Sequence, residues 1–268
     1  MKELDIAIEA AKKAGDKIMK YFGKVGYKLK GRANPLTVAD VESQQIITSI
    51  IAENFPSDSL ISEEKVSRIK NKDRLWLIDP LDGTVNFLHS FKHFSVSIAF
   101  VFEGDVVCGI IYDPCRDEVF SAVKGKGSWL NGKRINVSKV RNLCDSLLAT
   151  GFAYDRAKRA EFYCSFYSEF LKYSHDIRRC GAASLDMAYV AVGRLDGYWE
   201  FNLKPWDVAS GKLIVEEAGG MVTDFDGRVW GKDISDILNW GKQTLASNSS
   251  IHSGMISVIK RVFKKQIS

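Results

Sequence analysis

The run Asp79-Pro80-Leu81-Asp82-Gly83-Thr84 sets two carboxylates three residues apart, directly after the apolar segment Leu75-Trp76-Leu77-Ile78. Proline fixes the turn, so both acids can converge just beyond a strand end, and Gly83 lets an anion approach exposed backbone N–H groups. The combination suits a corner that holds a metal ion and a phosphate. Spacing alone also fits a pair of surface or helix-capping acids. Other acids have ordinary readings when taken singly. Glu63 and Glu64 end the short apolar segment Leu60-Ile61 and precede the charged loop Lys65 to Lys72, where paired glutamates are usually solvated. Asp207 follows Lys204-Pro205-Trp206 and opens a helical pattern from Val208 to Ala218, the place of an N-cap; Asp40 could cap an earlier helix in the same way.

These acids need a scaffold, and the hydrophobic periodicity supplies one. Residues 4–22 place Ile8, Ala11, Ile18 and Phe22 on one face and lysines opposite, predicting an amphipathic surface helix. A Gly- and Lys-rich stretch, Gly23 to Arg32, precedes a second helix over Ala39 to Phe55 that Pro56 ends. From Arg74 onward come short β-branched and aromatic runs: 75–78, 94–102, 106–112 and 118–123. They are separated by the turn signals Glu103-Gly104, Asp113-Pro114 and Asn131-Gly132, which predicts an antiparallel sheet. Beyond about residue 140, strands at 146–150, 195–201, 221–225 and 244–247 alternate with helices at 159–171, 182–192, 207–218 and the basic C-terminus, predicting an α/β half.

The chain has 268 residues, 46% hydrophobic and 26% charged, enough for a large core. At roughly 150 residues per domain its length suggests nearly two units. The division expected is an N-terminal α+β part, 1–139, with the antiparallel sheet, and a C-terminal α/β part, 140–268. A net charge of +5 from 38 basic and 33 acidic residues is weak for a dedicated nucleic-acid binder. No apolar run is long enough for a spanning helix, and the N-terminus mixes acids into what would be a signal peptide, so a cytoplasmic protein with no membrane contact is expected. Five scattered cysteines without a CxxC pair read as reduced thiols packed as small hydrophobes, Cys108 and Cys164 lying in apolar stretches.

Read together, three separated segments closely resemble the inositol monophosphatase family of Mg²⁺-dependent, lithium-sensitive phosphatases. They are Ser62-Glu63-Glu64, the run from Trp76 to Phe87, and Trp206-Asp207-Val208-Ala209-Ser210 continuing to Glu217-Ala218-Gly219-Gly220. The resemblance covers nearly the whole chain and implies a layered αβαβα sandwich. It also implies a metal cluster of Glu63, Asp79, the Leu81 carbonyl, Asp82 and Asp207, binding two or three Mg²⁺ ions. Hard oxygen ligands suit that ion, and acids so crowded would take up protons unless cations neutralised them. In such chemistry a metal-activated water near Glu63 and Thr84 attacks phosphorus in line, Asp40 supports the threonine, and Gly83 and Thr84 face the phosphate.

On the ring-binding side, the resemblance assigns Glu200 to substrate hydroxyls and Gly181-Ala182-Ala183 to the pocket wall, with Asp82 and Asp207 also facing substrate. The plain alternative for Glu200 is an edge-strand acid facing water. Asp155 falls in a variable loop. The expected reaction is hydrolysis of inositol 1-phosphate or a similar small polyol phosphate; fructose bisphosphate, a nucleotide 3′-phosphate or NADP are rival esters. A homodimer is implied. The segment Arg178-Arg179-Cys180-Gly181-Ala182-Ala183 resembles suppressor-type bacterial members associated with transcription antitermination machinery, so contact with that machinery is a second expected role.

Two further signals are read as structural. His89 and His93 stand four apart, a ligand spacing on a shared helical face, but Phe87, Phe91 and Phe94 around them suggest packing. The basic groups at Arg156-Ala157-Lys158-Arg159, Arg178-Arg179 and the tail read as solvated surface.

Overall fold

Small residues along one face of the first helix, α1 (Lys2–Tyr21), let it lie close to a sheet: Ala7, Ala10, Ala11, Ala14 and Ile18 are all buried. This computed structural model describes residues 1–24, 28–29, 35–63 and 69–267. Glu64, residues 65–68 of the charged loop, and most of the Gly- and Lys-rich stretch lie outside the described residues.

After α1 come β1 (Lys28–Leu29), β2 (Pro35–Leu36), α2 (Val38–Asn54), β3 (Ser59–Ser62), β4 (Arg74–Asp82) and the short α3 (Thr84–Leu88). A meander follows: β5 (Ser95–Phe102), β6 (Asp105–Asp113), β7 (Glu118–Val123), β8 (Gly127–Leu130) and β9 (Lys133–Ile135). The remainder alternates through β10 (Leu147–Thr150), α4 (Ala160–Phe170), β11 (Asp176–Arg178), α5 (Ala183–Ala191) and β12 (Gly197–Phe201). It closes with α6 (Pro205–Glu217), β13 (Met221–Thr223), α7 (Ile234–Ile237), β14 (Gln243–Ser247) and α8 (His252–Ile267).

Strands β3 to β9 form a seven-stranded sheet in chain order, antiparallel except where β3 runs parallel to β4. A second, five-stranded sheet has the order β11-β10-β12-β14-β13. It is mixed: β10 pairs in parallel with β11 and β12, whereas β14 runs antiparallel to β12 and β13. Helices α1 and α2 cover the outer face of the large sheet, and α5 and α6 fill the space between the sheets. Helices α4 and α8 pack together over the far side, where Phe166, Trp199, Leu245 and Met255 share one core. The result is the layered αβαβα sandwich expected.

Strands β8 and β9 were not among the predicted elements. Their sequence, Gly127–Leu130 and Lys133–Ile135, carries few β-branched residues, and pairing with β7 decides their state. No helix among the described residues is long and apolar enough to cross a membrane.

Candidate active site

A bulge aims the two acids of β4. Asp79 pairs with Ser97 and Asp82 with Ser95, so three residues on β4 span the distance of two on β5. In a regular strand, residues three apart face opposite sides; the extra residue brings both carboxylates to one cavity. The turn is held from within: Ser43 Oγ donates to the Pro80 carbonyl at 2.7 Å, and Asp79 Oδ1 accepts from the Leu81 N–H at 3.0 Å. Gly83 then adopts a left-handed φ of 86° and starts α3. A side chain there would press on the His93 carbonyl at 3.0 Å and on Ala182 at 3.1 Å, so glycine is required on both counts.

Asp207 and Asp40 sit one turn inside their helices and not at the caps. Helix α6 begins at Pro205, and Asp207 Oδ2 accepts from the Lys204 backbone N–H at 2.8 Å. In α2 the N-cap is Thr37, and Asp40 closes a reciprocal capping box with it. Thr37 donates to Asp40 Oδ2 through its N–H at 2.8 Å and its hydroxyl at 2.5 Å. Asp40 Oδ1 lies 3.1 Å from Thr84 Oγ1, which is also 3.0 Å from the Leu81 carbonyl. Both neighbours are acceptors, so the threonine proton points toward them and a lone pair is left for the cavity.

Glu63, Asp79, Leu81, Asp82, Gly83, Thr84 and Asp207 all line one cavity of about 260 Å³, with Gly181, Ala183 and Glu200 on its walls. Burial first, then the charges of Glu63, Asp82 and Asp207, hold Asp79 well above the usual carboxylate range. Burial, then Asp82 and Glu63, raise Asp207 in the same way. Burial also raises Asp82, opposed by hydrogen bonds to its Oδ2 from the Ser184 N–H at 2.7 Å and hydroxyl at 2.6 Å. Anionic oxygens that repel one another this strongly fit a hard divalent cation, which relieves the repulsion by neutralising it.

Glu200 lies on β12, inside the second sheet and 9% exposed, so it is neither at an edge nor facing water. Burial pushes its carboxyl up to about 7. The hydroxyl of Tyr198, two residues along the same strand face, donates to Glu200 Oε2. Ala182 is buried behind the wall, against Gly83, and Asp40 stands behind Thr84. Asp155 turns away from the cavity, accepting from the Tyr163 hydroxyl at 2.5 Å.

Several wall residues carried no signal in the sequence. Arg156 and Arg179, read as solvated surface, line the cavity beside Phe152 and Tyr154, and the Arg179 guanidinium lies 5.5 Å over the Phe152 ring. Arg179 stays exposed and Arg156 is half-buried, so the solvated reading holds for Arg179, but chain spacing cannot report that both border the cavity. Ser184, which fixes Asp82, is 102 residues away in the chain.

The two histidines part company: His89 is exposed, whereas His93 is buried with Nε2 3.1 Å from Asp186 Oδ1. Among the cysteines only Cys108 is fully buried; Cys115 and Cys180 are half-buried, and Cys144 and Cys164 are exposed. Cys164 lies on the outer face of α4, because an apolar run in a helix still turns some positions to solvent. In the tail, Lys265 reaches Glu169 at 3.0 Å.

The profile of the inositol monophosphatase family matches residues 1–263. A Salmonella typhimurium protein named Nus factor SuhB is 41% identical over 228 residues, spanning 84% of this chain and 85% of its own. The crystal structure of the extragenic suppressor protein SuhB from Bartonella henselae superposes with a TM-score of 0.90 at 36% identity, covering 97% of this chain and 99% of that one. The Thermotoga maritima IMPase gives 0.89 at 35% identity, covering 99% of both.

Proposed function

Because the chain belongs to the inositol monophosphatase family, we propose that it is a Mg²⁺-dependent phosphomonoesterase that hydrolyses inositol 1-phosphate or a similar small polyol phosphate. The observation that carries this reading is the convergence of Glu63, Asp79, Asp82 and Asp207, drawn from both sheets' surroundings, on one cavity that Glu200 also lines.

In this reading Glu63, Asp79, the Leu81 carbonyl, Asp82 and Asp207 hold two or three Mg²⁺ ions. When bound, these supply Lewis-acid polarisation of the ester and offset the charge on attacking and leaving oxygens. The remaining work belongs to the chain. Asp40 orients the Thr84 hydroxyl so that its oxygen accepts a hydrogen bond from the attacking water, and Glu63 takes up that water's proton. The backbone at Gly83 and Thr84 faces the phosphate. Glu200 accepts from ring hydroxyls while Gly181 and Ala183 shape the wall. Residues 1–139 thus supply most of the metal ligands, and 140–268 supply Asp207 and the ring contacts.

Phosphate release from inositol 1-phosphate tests the proposal. Expected is Mg²⁺-dependent turnover, inhibited by Li⁺, that Asp82→Asn abolishes; retained turnover in that variant overturns the mechanism. Fructose bisphosphate, a nucleotide 3′-phosphate and NADP complete the substrate panel. If turnover on one of these survives Glu200→Ala undiminished and exceeds that on inositol 1-phosphate, the polyol assignment fails.

The Nus factor name borne by the Salmonella typhimurium relative favours a second reading, contact with transcription machinery. Equal recovery of transcription proteins by the wild type and Asp82→Asn in a pull-down supports a role independent of catalysis, and recovery by neither removes it. A homodimer and a cytoplasmic home complete the reading. Light scattering tests the first, and the five free thiols suit the second.

A further inference from the structure

We infer that His93, Cys180 and Asp186 form a second metal site, chemically distinct from the magnesium acids, that takes a soft divalent cation such as Zn²⁺. The three residues come from separate segments: His93 from the turn between α3 and β5, Cys180 from the loop before α5, and Asp186 from α5 itself. A ring nitrogen of His93, the Cys180 sulfur and an Asp186 carboxylate oxygen all lie within 4.8 Å of one another. Zinc bonds of about 2.0–2.3 Å in a tetrahedral arrangement place neighbouring ligand atoms roughly 3.3–3.7 Å apart. His93 Nε2 and Asp186 Oδ1, at 3.1 Å, are already at that spacing within a few tenths of an ångström, and the Cys180 sulfur, within 4.8 Å of both, is the ligand that would have to draw in.

The backbones that carry two of the ligands are fixed by a third party. Asn86 Nδ2 donates to the His93 carbonyl at 2.7 Å and to the Cys180 carbonyl at 2.8 Å, tying the two ligand-bearing segments to α3. Such support orients ligands before a metal arrives. His93 and Asp186 are 4% and 1% exposed, while the half-buried Cys180 leaves a way in. A set of one sulfur, one nitrogen and one carboxylate oxygen suits zinc or cobalt, and it is a poor choice for magnesium or calcium, which prefer oxygen. The cavity acids show the opposite preference, so one fold would sort two ions by donor chemistry. A fourth position is left for water.

The plain alternative is a buried histidine–aspartate hydrogen bond with a thiol beside it. Burial pushes the Cys180 thiol up to about 12, with the Asp186 charge adding to the effect, so without a cation the sulfur keeps its proton. Metal uptake must therefore release that proton to water, as thiolate ligation generally does. Asp186 shares α5 with Ser184, the residue that holds Asp82, so an ion bound here would brace the helix end on which the catalytic corner rests.

The test uses Co²⁺ added to the full-length protein in saturating Mg²⁺. Cobalt bound to a thiolate gives a sulfur-to-metal charge-transfer absorption, which the sulfur-free acid cavity cannot produce. Expected is a band that saturates at about one equivalent, is absent in Cys180→Ser, and in His93→Gln needs at least about tenfold more Co²⁺, the loss that even an outer-shell change brings. A second measurement needs no variant: mass spectrometry of alkylated wild type should show Zn²⁺ slowing modification of Cys180 while leaving the exposed Cys144 and Cys164 unchanged. No band in the wild type, an undiminished band in Cys180→Ser, or Zn²⁺-independent alkylation of Cys180 overturns the site. Neither readout depends on turnover, so this failure would leave the phosphatase reading standing.

Discussion

Gly151 and Glu200 exclude one another's side chains: a Cβ built on Gly151 would overlap the Glu200 carboxylate. Gly151 follows directly on β10, which pairs with β12, and its φ is unexceptional, so the glycine is there for space and not for backbone freedom. Gly151→Ala should therefore push the carboxylate from its seat beside Tyr198. The expected cost is about 1–3 kcal/mol in stability, the range for overpacking. KM for inositol 1-phosphate should rise by about tenfold, equivalent to 1.4 kcal/mol, while kcat changes less. Thermal unfolding and steady-state kinetics check the two effects separately.

The pH response of Glu200 has a definite sign. Its carboxyl titrates near 7 in the fold against an ordinary value of 4.5, because burial disfavours the charge. The folded state then holds more protons than the unfolded chain between those values, so this group's contribution to stability is full below about 4.5 and is lost as pH rises toward 7. If Glu200 accepts from ring hydroxyls as proposed, substrate binding runs the other way, since only the ionised form is purely an acceptor. KM should fall as pH rises through about 7 in the wild type and stay flat in Glu200→Gln, which also loses its share of the stability slope. A change of KM with pH that persists unaltered in Glu200→Gln would assign the titration elsewhere.

Asp79→Asn should move stability and activity in opposite directions. The carboxylate is 2% exposed and repelled by Glu63, Asp82 and Asp207, so neutralising it relieves the metal-free protein. In chelator at neutral pH the variant should unfold at a higher temperature than the wild type, because the buried, repelled charge is gone. Turnover should be lost. Added Mg²⁺ should reverse the order, since a ligand at a hundredfold excess over Kd stabilises its binding-competent protein by about 2.7 kcal/mol. Calorimetry with and without Mg²⁺ measures both.

Ser184 acts through Asp82. Its hydroxyl donates to Asp82 Oδ2 at 2.6 Å and also lies 2.9 Å from Ser95 Oγ, linking α5 to β5. Ser184→Ala keeps the backbone donor and removes the hydroxyl. The Mg²⁺ concentration for half-maximal activity should rise about tenfold to a hundredfold, the usual loss when a ligand's hydrogen-bond support is removed. Kinetics at saturating Mg²⁺ should recover most of the rate, which a collapsed fold would not allow.

The sequence by itself determined the parts that depend on near neighbours. Alternation and helical period placed most strands and helices to within a few residues, and Asp79-Pro80-Leu81-Asp82-Gly83-Thr84 announced two acids next to a strand, although the acids expected just beyond its end lie within β4, on either side of its bulge. Tertiary structure alone decided the rest. The β4 bulge, which exists only against β5, brings both acids to one side. Sheet order buries Glu200 on an inner strand, and loop packing sets Arg156 and the exposed Arg179 at the cavity. Helix orientation exposes Cys164 while burying His93 against Asp186, 93 residues away. Periodicity in a chain reports which residues share a face of one element; which faces meet is fixed by pairing register and layer packing, and those are settled between segments far apart in sequence.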